Sequence, residues 1–158
     1  GSRKVDIRCR LELGDAAVRR GSREPAIATS LEERCGLLYS YPGMPEGSIA
    51  SFSGYKGLIV AGTGLGHVST DLIPSLRTLI DEGTTIVMTS QCLHGRVCDR
   101  VYDTGRDLIN AGVIEGEDIL PEVALVKLMW VLGNEPDPEL AGSLMRSCLK
   151  GECGGRSL

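Results

Sequence analysis

A three-layer α/β/α domain around a mostly parallel four-stranded sheet is the fold the sequence predicts, on three observations. From Cys35 onward, short apolar runs alternate with stretches of helical periodicity, the pattern of βα units feeding a parallel sheet. The three strongest runs each end in a polar or glycine-bearing loop (residues 41–43, 62–67 and 89–91), as strands do where they deliver their loops to one edge of a sheet. At 158 residues, with 42% hydrophobic and 24% charged residues, the chain has the size and balance of one soluble domain with its own core.

Residues 1–34 lie ahead of this pattern and read as a tag remnant, linker or edge strand. Gly1-Ser2 resembles a cleavage scar, residues 5–13 alternate like one strand, and the Gly, Arg and Ser-rich stretch after them carries no core residue. Residues 35–150 form the domain proper. Residues 36–41 make the first strand, stopped by Pro42-Gly43, and residues 45–53 a short, poor helix. The second strand covers 57–61. Its helix starts near Ser69, Thr70 or Asp71, each able to cap, tolerates Pro74 in its first turn, and aligns Leu72, Ile73, Leu76, Leu79 and Ile80 before ending at Gly83. The third strand, 84–90, is β-branched and apolar at its centre. A short helix over 104–111 closes at Gly112, and Val113-Ile114 supply a fourth strand. The helix opening at Pro121 is apolar nearly all round, which predicts cover on more than one side, and it is expected to end at Gly133. An amphipathic helix over 138–149 follows, and residues 151–158 read as a frayed tail.

Composition removes several classes of function. A formal charge of −4 argues against a general nucleic-acid or membrane-surface binder, and the basic residues near the start, Arg3, Lys4, Arg8, Arg10, Arg19, Arg20 and Arg23, are diluted by acids. Aromatic residues make up only 4%, which argues against base-stacking platforms. No apolar segment approaches the roughly 20 residues that span a bilayer, and no leader opens the chain, so a cytoplasmic protein is expected. Six cysteines, at 9, 35, 92, 98, 148 and 153, include no C-x2-C pair; Cys92, His94, Cys98, Cys148 and Cys153 offer ligand types, but buried reduced thiols are the better account, and no metal is expected.

The most informative stretch is residues 57–69, a buried strand running into Gly62-Thr63-Gly64-Leu65-Gly66-His67. Alternate glycines allow positive φ and close approach, while Thr63 and His67 supply the side chains able to hydrogen-bond or titrate. The spacing is G-x-G-x-G, not the dinucleotide fingerprint G-x-G-x-x-G, and the third strand ends in Met88-Thr89-Ser90 without an acid to hold a ribose; no phosphate loop follows either. His67 and His94 are the chain's two histidines, each able to serve Ser90 or Cys92. Nothing in the spacing places an orienting carboxylate, so a self-contained triad is not expected, and a backbone-satisfied loop histidine remains the plain reading of His67.

Residues 55–67, then Met88-Thr89-Ser90-Gln91-Cys92 with Gly95-Arg96-Val97, then residues 102–106 and 120–128, resemble the small C-terminal domain of the L-asparaginase family, and residues 39–44 resemble its first strand and turn. Within that family, His67, the Gln91-Cys92 pair and the basic leading segment are most similar to the branch that serves archaeal glutamyl-tRNA(Gln) amidotransferases as their D-type subunit. The resemblance implies a large N-terminal domain carrying two catalytic threonines, in Thr-Gly-Gly-Thr and Thr-Asp motifs that this sequence lacks; no catalytic residue is therefore expected in this chain, and alone it should be inactive. It implies a homodimer in which the small domain completes a neighbour's substrate site through His67, standing where asparaginases usually have Asn, and through a later residue matching near Tyr102, with Gly64 and Gly66 shaping the turn. It further implies glutamine hydrolysis that feeds ammonia to a tRNA-reading partner. That partner uses ATP and Mg, so the chain needs no cofactor of its own and meets tRNA indirectly. The alternatives are an asparaginase domain or a non-catalytic ligand-binding or assembly module.

Overall fold

The structure, a computed structural model, describes residues 26–98 and 103–154 together with Gly21. Four strands, β1 (Cys35–Tyr39), β2 (Gly57–Gly62), β3 (Thr85–Ser90) and β4 (Ile114–Glu115), lie side by side in chain order, and every pair is parallel. Three helices connect them: α1 (Gly47–Ala50), α2 (Ile73–Asp81) and α3 (Asp103–Ala111). In a sheet whose strands add in one direction, crossovers of one hand place every connecting helix on the same face. The opposite face is left to the two helices after the sheet, α4 (Pro121–Asn134) and α5 (Pro138–Arg146).

The period-two alternation of the central strands divides the core accordingly. Leu58, Val60, Ile86 and Met88 point to the first face, where Ile49, Leu76, Leu79 and Leu108 of α1 to α3 meet them. Ile59 and Val87 point the other way, to Ala124, Leu128 and Val131 of α4 and Met145 of α5. The predicted α/β/α sandwich with a parallel four-stranded sheet is the observed fold.

Local differences have physical causes. Ser69 is extended where the α2 segment begins but makes no side-chain cap; a 3₁₀ turn over Thr70–Leu72, with the Leu72 N–H donating to the Ser69 carbonyl at 3.0 Å, leads into the helix instead. Gly83 and Gly112 do end α2 and α3, at φ of 94° and 98°. Gly133 does not end α4, which runs on to Asn134. A Cβ at Gly133 would stand 2.7 Å from the Ser30 carbonyl oxygen, so this glycine admits residues 28–32 alongside the helix. There the Trp130 indole donates to the Ala28 carbonyl at 3.1 Å and the Asn134 amide to the Ser30 carbonyl at 2.8 Å.

α4 is covered on more than one side, by the sheet, by α5 and by residues 28–32, while Val123 and Val126 remain 40% and 62% exposed. α5 stops at Arg146 rather than continuing to 149, because Lys127 draws the Met145 and Ser147 carbonyls onto its ammonium at 3.1 and 2.5 Å. Residues 151–154, expected as part of a frayed tail, are held down: Glu152 pairs with Lys127 at 2.8 Å, and the Gly154 N–H donates to the Asp118 carboxylate at 2.9 Å.

Candidate functional site

All strands being parallel, their carboxyl ends share one edge, and the loops after β1, β2 and β3 meet there. The turn after β2 is closed by its own backbone: the Thr63 N–H donates to the His67 carbonyl and the His67 N–H to the Thr63 carbonyl, both at 2.9 Å. A loop this short closes only with left-handed residues inside it, which Gly64 and Gly66 supply at φ of 55° and 98°. Gly62 serves by its size, since a Cβ there would stand 2.6 Å from the Gly66 backbone.

The last residue of β3 and the loop after it clamp this turn. Ser90, itself buried, donates its hydroxyl to the Gly64 carbonyl at 2.5 Å, and the Cys98 N–H donates to the Leu65 carbonyl at 3.0 Å. Gln91 ties the three strand ends together, its amide donating to the Ser40 carbonyl at 2.6 Å and the Ala61 carbonyl at 2.8 Å while its N–H donates to the Gly62 carbonyl at 2.9 Å. Val97 packs over Gly66, and its N–H donates to the carbonyl of Glu117, which holds a left-handed backbone at φ of 59° and ion-pairs with Arg96.

Against this scaffold lies a depression of about 300 Å³ lined by Ser40, Tyr41 and Pro42 from the first loop and Thr63, His67 and Ser69 from the second. His67 is half-buried in its wall, both ring nitrogens shielded from solvent. Gly64 has open space where a side chain would be, so its backbone is approachable. Tyr102 lies outside the described residues. At the same edge the Tyr39 hydroxyl donates to the Glu122 carboxylate at 2.6 Å, which raises the phenol above its ordinary value and lowers the carboxyl.

Two hydroxyls of this turn and its clamp are engaged with backbone: Thr63 donates to the His67 carbonyl at 3.3 Å and Ser90 to that of Gly64. Serving as donors to carbonyls, they do not form the nucleophile-to-base contact that hydroxyl catalysis requires. Among the described residues, no group of three or more His, Cys, Asp or Glu is placed to hold a metal ion, and no helix is long and apolar enough to cross a membrane. The sequence pattern marked the glycine turn and the 89–91 loop but not the stitching by Ser90 and Gln91. Its one signal was the polar run Thr89-Ser90-Gln91 directly after the apolar Ile86-Val87-Met88.

Residues 34–145 match the glutaminase/asparaginase C-terminal domain family. The chain belongs to that family. It is 52% identical over 136 residues to the D-type subunit of the glutamyl-tRNA(Gln) amidotransferase of Methanosarcina acetivorans, a match covering 85% of this chain and 32% of that protein. With the corresponding amidotransferase subunit of Halobacterium salinarum it shares 55% over 122 residues, covering 77% of this chain and 29% of the other. Among solved structures it superposes on the thermostable L-asparaginase from Thermococcus kodakarensis with a TM-score of 0.80 at 29% identity, over 90% of this chain and 44% of that one. The chain thus spans about a third of the length of the curated relatives it matches. As an asparaginase-type C-terminal domain, it presents its glycine turn and His67 at the edge where ligands of open α/β sheets bind.

Proposed function

We propose that the chain is the C-terminal domain of the glutaminase subunit of a Glu-tRNA(Gln) amidotransferase, completing a glutamine site whose catalytic threonines lie in an N-terminal domain. The observation that carries this reading is a half-site: an imidazole set in the wall of a depression, beside a turn whose Thr63 and Ser90 hydroxyls are both donated to backbone carbonyls. In such a surface those two hydroxyls hold the turn in shape, and the imidazole is left to position a substrate. The identity to the archaeal amidotransferase subunits supports the amidotransferase branch. In this reading His67 meets the α-amino or α-carboxylate end of glutamine, the approachable backbone at Gly64 and the turn at Gly66 shape its seat, and Tyr102 approaches from the later loop. The domain works as a homodimer, and the ammonia passes to a tRNA-reading partner that uses ATP and Mg.

The test exchanges this domain for the matching segment of the Methanosarcina acetivorans relative. The purified chain alone should release no ammonia from glutamine above background, whereas the exchanged protein should. In that protein His67→Ala should lower glutamine kcat/KM by about 1 to 3 kcal/mol, the scale of one unpaired polar contact. Turnover by the chain alone, or an unchanged kcat/KM in the variant, overturns the reading. The likeness to asparaginases favours one second reading, an asparaginase domain, and a preference of the exchanged protein for asparagine would select it.

A further inference from the structure

After α5, residues 148–153 curl around the carboxylate of Glu152. That carboxylate accepts from the N–H groups of Leu149 at 2.9 Å and Lys150 at 2.6 Å, and it is anchored to Lys127, whose side chain is 5% exposed, at 2.8 Å. The turn therefore has its centre fastened to α4. A cysteine stands at each end of it. Cys148 is exposed, its sulfur 3.1 Å from the Cys153 carbonyl oxygen and 3.9 Å from Glu152 Oε2, while Cys153 is half-buried against the core between sheet and helices. Each thiol is close enough to perturb the other electrostatically across the turn.

We propose that Cys148 and Cys153 are a reversible redox pair that closes to a disulfide when the chain meets a small-molecule disulfide and reopens in thiol reductant. The Cys148 thiolate attacks one sulfur of the reagent, forming a mixed disulfide and releasing one reagent thiolate. Cys153 then gives its proton to water or to that thiolate and attacks the Cys148 sulfur, releasing the second. The reagent is reduced by two electrons to two thiols, and the protein loses two hydrogens. The environments divide the roles: hydrogen bonding from the Cys153 backbone and then its thiol lowers Cys148 below its ordinary value, whereas burial and then the Cys148 contact push Cys153 up to about 11. Burial likewise pushes Cys35 up to about 11, which makes it a poor competitor for the reagent. Closure would tie covalently the turn that keeps Glu152 on Lys127, so redox state governs how firmly the C-terminal hook grips α4.

The experiment treats the reduced chain with oxidised glutathione, blocks remaining thiols by alkylation and digests with trypsin, which cuts after Arg146, Lys150 and Arg156. The expected product is peptide 147–150 disulfide-linked to peptide 151–156 from a monomeric chain, lost on adding dithiothreitol and absent from Cys148→Ser and Cys153→Ser. The oxidised chain should also melt higher than the reduced one. Recovery of both peptides alkylated, of glutathione retained on Cys148 beside a free Cys153, or of the link only in dimers overturns the proposal.

Discussion

Glu152 shows how one side chain carries a pH dependence that can be read from its surroundings. Burial acts to raise its carboxyl, but hydrogen bonds from Lys127 and from the N–H groups of Leu149 and Lys150 outweigh it and bring the value down to about 2, from the usual 4.5. A carboxyl depressed in the folded state binds its proton more readily once unfolded. The stabilisation is therefore complete above about pH 5 and is lost as pH falls from 4.5 through 2. Denaturant titrations at a series of pH values should show wild type losing stability across that window. Glu152→Gln, which has no proton to take up, should be less stable at neutral pH and flatter below pH 5, because Lys127 keeps a buried ammonium without its counter-charge. Parallel curves for the two proteins would show that the pair is not what couples the hook to pH.

At the scale of elements, Gly133 reverses an ordinary expectation. Glycine to alanine inside an exposed helix normally stabilises by about 1 kcal/mol. Here the added carbon would meet the Ser30 carbonyl oxygen at 2.7 Å and the Leu31 backbone at 2.8 Å, so Gly133→Ala should destabilise by about 1 to 3 kcal/mol, read as a lower denaturation midpoint. Any gain in stability would show that residues 28–32 can give way. The same helix shows what was legible in the sequence. Periodicity identified α4 and its start at Pro121, and apolar runs identified β2 and β3, because burial in a parallel sheet leaves an unbroken hydrophobic signature. Glycine alone could not say whether position 133 was a stop or a close approach, since both demand a missing side chain and only the chain lying beside it decides. The hook through Lys127 and Glu152 left no local signal, its partners being twenty-five residues apart. His67 was legible as a residue at the carboxyl edge of the sheet. Its neighbours Ser90 and Gln91, whose bonds reach to Gly64 and Ser40, were legible only as a polar loop.

For the whole molecule, the question is whether the carboxyl edge of the sheet is rigid by itself. Gln91 spends both amide hydrogens on carbonyls at the ends of β1 and β2: that of Ser40, just past β1, and that of Ala61, which also accepts the Ser40 N–H at 3.0 Å. Gln91→Met keeps nearly the same length but donates nothing. If that amide is what holds the loops after β1 and β2 at their spacing, the variant should lose about 1 to 2 kcal/mol with an unchanged denaturant slope. Faster hydrogen exchange should then appear at the N–H groups of Thr63, Gly66 and His67 and not at those inside β2 and β3, since only the edge is released. Equal stability and unchanged exchange would mean that the Thr63 to His67 backbone closure suffices to shape the depression by itself. The first outcome makes Gln91 the residue through which the loop after β3 sets the position of His67, and it predicts that in the exchanged full-length protein the same variant raises KM for glutamine more than it lowers kcat, as expected when a substrate seat loosens without touching the nucleophile.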